Sequence, residues 1–331
     1  PSGVPPFVAR PRKKPAGARK LRSGGPGRRS LGVGGNQWAR RPKVAIVGEG
    51  YCARVTAATS LGARRHGLVD YHVGGEGSPL VLVHGLAGAA ANWVELVPAL
   101  LERHRVIAVD LPGHARSAPL PPGATTEDYA VAVAEVLEVE GVEGALVAGH
   151  SFGGLVALRL ARLRPELVRG LLLVSPAGIS TRRRLVRALV AASARVRPGR
   201  RVARLGQRHA GRPGVRRALF QPWFVTDAGA LSADAARGLL EAQRLHADTR
   251  AAGRAMGADD ARAGLEPLGC PAIVLWGARD RQLSVDDAVA FARGLRAELR
   301  IVGGCGHLVI VERPHAVLDA LAAVEASARA A

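Results

Sequence analysis

The stretch "LVAGHSFGGLVAL", residues 146–158, joins two apolar runs through a serine with glycines on both sides. The first run is short and typical of a buried strand, and the second run has the spacing of a helix. Ser151 therefore lies at a tight strand-to-helix turn, with Gly149 and Gly153 two residues before and after it. This G-x-S-x-G pattern predicts a nucleophile elbow, in which a strained backbone exposes the serine oxygen.

Aliphatic runs similar to the one before Ser151 recur from residue 68 onward. Each run is apolar on both faces and is followed by glycine or a polar residue, and amphipathic helical stretches separate the runs. This alternation predicts an α/β fold with a doubly wound, mostly parallel sheet. The predicted strands are 79–85, 105–110, 145–149, 170–174, 272–277 and 299–303.

One connection is too long for a simple crossover, because about 100 residues separate the fourth and fifth of these strands. Residues 178–265 have helical periodicity and predict a helical cap, inserted between the core segments 68–177 and 266–331. We expect the cap to cover the carboxyl edge of the sheet, where open α/β sheets bind ligands. Within its aromatic cluster "LFQPWF" (219–224), we expect Phe220, Trp223 and Phe224 to form cap core.

The N-terminal residues differ in composition from the rest. Residues 1–40 are rich in Pro, Gly and basic residues, and predict a disordered basic tail. Residues 41–67 are assigned as a linker of undefined structure. They contain Gly48-x-Gly50, and Asp70 follows at the spacing of a dinucleotide fingerprint. Asp70 lies inside an apolar run and not at a strand end, so we predict no bound cofactor.

The net charge of +20 is concentrated in two segments. Residues 1–66 contain 15 Lys and Arg against one acidic residue, and residues 178–265 contain 18 against six. Ala, Gly and Pro are also abundant, so we attribute the positive charge to a general bias in composition and not to a dedicated polyanion site. We therefore expect no nucleic-acid partner. Cap arginines such as Arg182, Arg183 and Arg184 are interpreted as a solvated face.

The three cysteines have no C-x-x-C spacing, which excludes a zinc knuckle and a disulfide framework, and no metal is predicted. No apolar stretch reaches the length of a membrane-spanning helix. A cytoplasmic location fits this usage of cysteine. The alternative is targeting to an organelle, because the acid-poor, arginine-rich N-terminal segment resembles a transit peptide. The sequence carries no signal for an oligomeric state.

A base and an acid for Ser151 follow two further predicted strands. Asp280 comes after the strand 272–277, and His307 comes after the strand 299–303. All three side chains would converge at the carboxyl edge, where His307 would take the serine proton and Asp280 would orient the imidazole. The amides of Leu86 and Phe152 would form the oxyanion hole.

Other residues near these motifs are given supporting roles. We expect His84 and His150 to hold loops or line the substrate pocket, and we assign Leu308 and Trp223 as further pocket residues. Cys305 is interpreted as a small buried residue whose thiol would be open to alkylation.

The motifs "HGLAG", "DLPGHARS", "GHSFGG", "WGARD" and "GCGHL" occur in this order and resemble the α/β-hydrolase superfamily, in its esterase- and lipase-like serine branch with a cap. The resemblance covers residues 68–325. It implies an eight-stranded, mostly parallel sheet, a cap after the sixth strand, and a triad of Ser151, Asp280 and His307. Ala115 stands where a glycine is usual. Ser151 argues against epoxide hydrolases and haloalkane dehalogenases, which carry Asp, and His150 disfavours carbon–carbon hydrolases, which usually carry Asn.

The function predicted is hydrolysis of a carboxylic ester, a small-molecule acyl substrate, through an acyl-enzyme. An apolar acyl group is favoured by the apolar residues Leu86, Phe152 and Leu308. Alternatives on the same site are an acyltransferase, thioesterase, lactonase, perhydrolase or carbon–carbon bond hydrolase, and the basic cap would suit a phosphopantetheine-linked donor. A ligand-binding or scaffold protein without catalysis is a third class, against which the complete triad argues.

Overall fold

Every predicted strand is present in the computed structural model, which describes residues 45–46, 61–180, 199–221, 223–245 and 248–330. These residues contain nine strands. They are β1 (Ala45–Ile46), β2 (Gly62–His66), β3 (Val69–Gly74), β4 (Ser78–Val83), β5 (His104–Asp110), β6 (Ala145–His150), β7 (Val168–Val174), β8 (Ala272–Gly277) and β9 (Glu298–Val302). The strands form one sheet in the order β1-β2-β3-β5-β4-β6-β7-β8-β9. The five pairings among β4–β9 are parallel, so the predicted α/β fold with a mostly parallel sheet is confirmed.

The first three strands run antiparallel to their neighbours. Residues 62–66 lie in β2, so their assignment to a linker is wrong. The polar segment "GARRH" is held by its pairing with the buried strand β3, where Arg65 Nη2 donates to Asp70 Oδ2 at 2.9 Å. Asp70 is the residue that completed the dinucleotide-like spacing, and its carboxylate is thus paired with Arg65. The tail 1–40, Gly48-x-Gly50 and Arg182–Arg184 lie outside the described residues.

Both faces of the parallel sheet are covered, which explains the uninterrupted apolar strands. Along β4, Val81 and Val83 pack into one core cluster, whereas Leu80 and Leu82 pack into a second cluster on the opposite face. The core helices are α1 (Val97–Leu101), α2 (Thr126–Val139), α3 (Phe152–Leu163), α8 (Val285–Leu295), α9 (Val309–Glu312) and α10 (Pro314–Ala330). Short 3-10 helices span Ala90–Trp93, Pro165–Leu167 and Ala261–Gly264.

The connection from β7 to β8 is a long insertion, and we call residues 178–265 the insert. Its described residues form α4 (Gly199–Arg208), α5 (Pro213–Phe220), α6 (Ala233–Leu245) and α7 (Arg250–Ala258). The insert contacts loops that follow the carboxyl ends of strands. Gln243 Nε2 donates to the carbonyl of Ala87 after β4, and the amide of Asp248 donates to the carbonyl of Gly113 after β5.

Both ends of the insert are attached to the core. The Asp287 carboxylate at the start of α8 accepts the amide and the hydroxyl of Ser180. At the other end, the Arg159 guanidinium of α3 binds the Asp259 carboxylate and the Asp260 carbonyl. Among the helices in the described ranges, none has the length and hydropathy needed to cross a bilayer.

Candidate active site

Ser151 lies in a strained turn between β6 and α3. Its backbone has φ 53° and ψ −117°, a conformation that L-residues rarely adopt and that costs about 1–3 kcal/mol. The amide of Ser151 donates to the carbonyl of Val174, and the carbonyl of Ser151 accepts the amides of Gly154 and Ala177. The neighbouring strand thus fixes the turn, and the serine side chain remains partly exposed.

The glycines around Ser151 leave no room for a side chain. A Cβ at Gly153 would lie 2.3 Å from the carbonyl oxygen of Val83, and a Cβ at Gly149 would lie 2.3 Å from that of Gly153. At Gly85 a Cβ would lie 3.1 Å from the Ser151 Cβ. The end of β4 and the start of α3 therefore approach each other through bare backbone, next to the serine.

Asp280 and His307 are joined by a hydrogen bond. His307 Nδ1 lies 2.7 Å from Asp280 Oδ2, and the two side chains are 4% and 0% exposed. Asp280 Oδ1 accepts the amides of Gln282 and Leu283 at 2.8 and 3.0 Å, which fixes the carboxylate. Because the carboxylate accepts the Nδ1 proton, Nε2 of the neutral imidazole is left as the basic nitrogen.

Burial alone would raise the pKa of Asp280, but it is outweighed by the charge of His307, by their hydrogen bond and by the two amides. The net effect lowers the pKa of this carboxyl below its usual value. Asp280 is therefore ionised at neutral pH, as required of a group that orients and stabilises an imidazolium.

Ser151 and His307 lie at the same edge of the sheet, and His150, which precedes Ser151, connects them. His150 Nε2 donates to the carbonyl of His307 at 3.1 Å, and the two imidazole rings lie 4.9 Å apart. Within the part of the chain that the structure describes, no hydrogen bond joins the Ser151 hydroxyl to His307. Nucleophile–base contacts of this kind are often long without substrate and shorten when it binds.

The segment predicted as an oxyanion hole adjoins the serine. Gly85 packs against Ser151 and His150, and Leu86 is the next residue along the chain. Phe152 begins α3, where the first amides of a helix have no partner inside the helix. The two predicted donors thus lie on the two segments that meet at Ser151.

His84 braces a loop and is fully buried, so its side chain is not a pocket surface. Its Nδ1 lies 2.8 Å from the carbonyl of Gly85, and its Nε2 accepts the amide of Leu111 at 3.0 Å. Burial is the main cause that lowers the pKa of His84, so the imidazole stays neutral. It ties the loop after β4 to the loop after β5.

Burial, and next the charge of His307, lower the pKa of His150 from 6.5 to about 3. The ring is 4% exposed and lies between Gly85 and His307. A neutral His150 leaves His307 free of a second positive charge beside it.

The remaining predicted pocket residues differ in their placement. Phe152 is fully buried and packs its ring on Tyr129 at 5.2 Å, so its side chain belongs to the core. Leu308 is partly buried against the core cluster that contains Leu80. Trp223 and Phe224 are 67% and 45% exposed, so the expectation that they form insert core is wrong, whereas Phe220 is buried as expected.

Glu312 on α9 is a buried carboxylate that was not among the residues predicted from the sequence. Its Oε1 accepts the amide of Gly306 at 2.8 Å, and its Oε2 accepts the amide of Thr226 at 2.7 Å. It therefore connects the loop that carries His307 to the insert. The signal that was available is one acidic residue directly after the apolar run "LVIV".

Cys305 is buried beside Glu312, and the predicted sensitivity to alkylation is disfavoured. Burial, followed by the charge of Glu312, raises the pKa of this thiol to about 12. A neutral thiol is a poor nucleophile. The described residues include no group of three or more His, Cys, Asp or Glu arranged to hold a metal ion.

Residues 80–320 match the family model described as "Alpha/beta hydrolase family". The dihydrolipoyllysine-residue acetyltransferase component of the acetoin cleaving system of Pseudomonas putida is 33% identical over 248 residues, covering 73% of this chain and 62% of that protein. The chain thus spans less than two thirds of that relative.

Two solved structures share the fold. A bacterial membrane phospholipase A, described as a virulence factor, superposes with a TM-score of 0.64 at 25% identity, covering 84% of this chain and 90% of that one. A thermophilic esterase from Thermogutta terrifontis superposes with a TM-score of 0.62 at 24% identity, covering 80% and 94%.

Proposed function

Because the chain belongs to the alpha/beta hydrolase family, we propose that it is a serine hydrolase that cleaves a carboxylic ester through an acyl-enzyme. The observation that carries the proposal is the pairing of a strained, partly exposed Ser151 with a buried His307–Asp280 couple at the same sheet edge. Backbone strain of the kind seen at Ser151 clusters at active sites, where the surrounding structure maintains it.

The proposed reaction has two halves. Ser151 Oγ attacks the ester carbonyl carbon while His307 Nε2 accepts the hydroxyl proton, and the carbonyl oxygen becomes an oxyanion held by the amides of Leu86 and Phe152. When the carbon–oxygen bond to the alcohol breaks, His307 returns the proton to the leaving oxygen. A water molecule then attacks the acyl-enzyme, again giving its proton to His307, which returns it to Ser151.

An apolar acyl group is favoured by Leu86 and Leu308, which are partly buried apolar residues. Leu86 follows Gly85, which packs against Ser151, and Leu308 follows His307. Phe152 gives no support, because its side chain lies in the core. We propose that the insert acts as the cap that limits access to this site, since it contacts the loops after β4 and β5 and the loop that carries His307.

Labelling with a fluorophosphonate probe tests the nucleophile. Wild type should be labelled and Ser151→Ala should not, with hydrolysis of p-nitrophenyl esters lost in parallel. Ser175→Ala is a matched control, because Ser175 also has a positive φ of 42° after a neighbouring strand but is fully buried. Equal labelling of wild type and Ser151→Ala would overturn the assignment.

A second candidate is acyl transfer from the same acyl-enzyme to an acceptor other than water, and the similarity to the Pseudomonas putida acetyltransferase component favours it. The two are separated by product analysis with a chromogenic acetyl ester and an added thiol acceptor such as dihydrolipoamide. Formation of the acetyl-thioester at the expense of acetate would support transfer. Acetate as the sole acetyl-containing product would support hydrolysis.

A further inference from the structure

The insert exposes a set of large apolar side chains. Val202 and Leu205 on α4 are 47% and 60% exposed, and Trp223 and Phe224 directly after α5 are 67% and 45% exposed. Elsewhere in the described ranges, the large hydrophobic side chains that are exposed are aliphatic and are spread over α2, α3, α8 and β9. They are Val131, Val139, Leu163, Val289 and Ile301.

Arginines are interleaved with these apolar residues along the chain. Residues 199–226 contain seven arginines and no acidic residue. Arg204 and Arg208 on α4, Arg212 before α5 and Arg217 on α5 are exposed. Large apolar groups and cations thus alternate along residues 199–226, and this stretch itself contains no carboxylate.

The helical pair is firmly built, so the exposure does not come from a loose segment. A Cβ on Gly206 of α4 would lie 2.9 Å from Leu219 of α5, which shows that the two helices are in contact. The buried Arg216 donates to the carbonyls of Ala210, Ala228 and Gly229 at 2.7–3.3 Å. These bonds fix the turn between the helices and the loop beyond Phe224.

The aromatic pair is also fixed against the catalytic loops. Gln282 Nε2 donates to the carbonyl of Trp223 at 3.5 Å, and the amide of Leu308 donates to the carbonyl of Phe224 at 3.2 Å. Gln282 lies two residues after Asp280, and Leu308 follows His307. The backbone of the pair therefore touches both loops of the proposed site while its side chains project outward.

We propose that the surface formed by α4, α5 and the Trp223–Phe224 pair, here the docking surface, binds an anionic lipid bilayer. Aromatic and aliphatic side chains enter the boundary between headgroups and acyl chains, and arginines bind the anionic headgroups. A purely polyanionic partner would use the arginines but would leave four apolar side chains in water. Docking would bring the bilayer beside the loops that carry Asp280 and His307.

Vesicle flotation tests the docking surface with the full chain. The probes are vesicles of phosphatidylcholine alone and of phosphatidylcholine with 30% phosphatidylglycerol, at low and at physiological salt. Wild type should float with the anionic vesicles and only weakly with the neutral ones. Trp223→Ser/Phe224→Ser and, separately, Arg204→Ser/Arg208→Ser should each weaken partitioning at least tenfold.

Matched controls remove the same kinds of exposed side chain from α8 and β9 and the turn between them, outside the insert. Val289→Ser/Ile301→Ser removes two exposed apolar groups, and Arg293→Ser/Arg296→Asn removes two exposed arginines, with Asn chosen because Arg296 has φ 53°. Both controls should partition as wild type does. Ser151→Ala should also float, which separates docking from the proposed catalysis.

Three results would overturn the proposal. They are absence of flotation by wild type at low salt, equal loss in the docking-surface variants and the controls, and loss with the arginine variant but not with Trp223→Ser/Phe224→Ser. The last result would mean a simple polyanion site, such as one for nucleic acid or an acidic protein.

Discussion

His150 is buried as a neutral imidazole, so acid, which favours the protonated form, should destabilise the fold. Burial, and next the charge of His307, lower its pKa from 6.5 to about 3 in the folded protein. The unfolded chain binds a proton at this residue below about pH 6.5, whereas the folded chain stays neutral until much lower pH. The contribution of neutral His150 to the free energy of unfolding is therefore complete above about pH 6.5 and is lost as the pH falls below that value.

His150→Gln should make the protein less sensitive to acid. Between pH 7 and pH 5 the wild type should lose about 2 kcal/mol more unfolding free energy than the variant, by proton linkage at a single site. Urea unfolding at the two pH values measures the difference. His315→Gln is the control, because His315 is exposed on α10 and should follow wild type. An acid dependence in His150→Gln equal to that of wild type would contradict the shifted pKa.

At the scale of elements, the turn from β6 to α3 depends on close backbone contact. Gly153→Ala would put a Cβ 2.3 Å from the carbonyl of Val83 and 2.4 Å from that of His84. Since backbone cannot move aside cheaply, unfolding free energy should fall by about 3 kcal/mol or more. Gly211→Ala, which has nothing within 4 Å of the added Cβ, should change stability little. Similar Tm values for the two variants would refute this packing.

Glu312 connects α9, the loop that carries His307 and the insert. In Glu312→Gln one of the two oxygens becomes an NH₂ group, which cannot accept from the amide of Gly306 or of Thr226. We expect stability to fall by about 2 kcal/mol and kcat to fall about tenfold or more as His307 shifts, with KM nearly unchanged. Steady-state kinetics on a chromogenic ester separates kcat from KM.

The control for Glu312 is Glu298→Gln on β9, whose carboxylate is exposed and pairs with Arg300, two residues away. Its kcat and stability should match wild type. If Glu312→Gln loses stability but keeps kcat, Glu312 is structural only and does not position His307.

For the whole molecule, the sequence was most informative where a strand is an uninterrupted apolar run. Five of the six predicted strands are mostly buried, the sixth, β9, is partly exposed, and their order in the chain placed Asp280 and His307 after neighbouring strands. β2 was not predicted because "GARRH" is polar and is a strand through its pairing with β3, and β3 was not predicted because Asp70 and His72 interrupt its apolar residues. Aromatic residues are usually buried, so Trp223 and Phe224 could not be placed outside without the packing of α5.

Several hydrogen bonds join the insert to the core, and one of them can be tested in isolation. The Asp287 carboxylate is buried and accepts both the amide and the hydroxyl of Ser180, the point where the chain enters the insert. Asp287→Ala removes both acceptors and leaves a buried amide without a partner, at a cost of about 1–3 kcal/mol. Because the Arg159–Asp259 contact still holds the other end, the loss should act locally.

Hydrogen exchange should therefore accelerate about tenfold or more in α4–α7 of Asp287→Ala, which corresponds to about 1.4 kcal/mol, while β4–β8 exchange as in wild type. Asp286→Ala is the matched control, since Asp286 is adjacent but exposed and its carboxylate accepts from the nearby Ser284. If exchange rose equally in the sheet and in the insert, the two would open as one cooperative unit, and Asp287 would stabilise the whole fold and not the attachment of the insert.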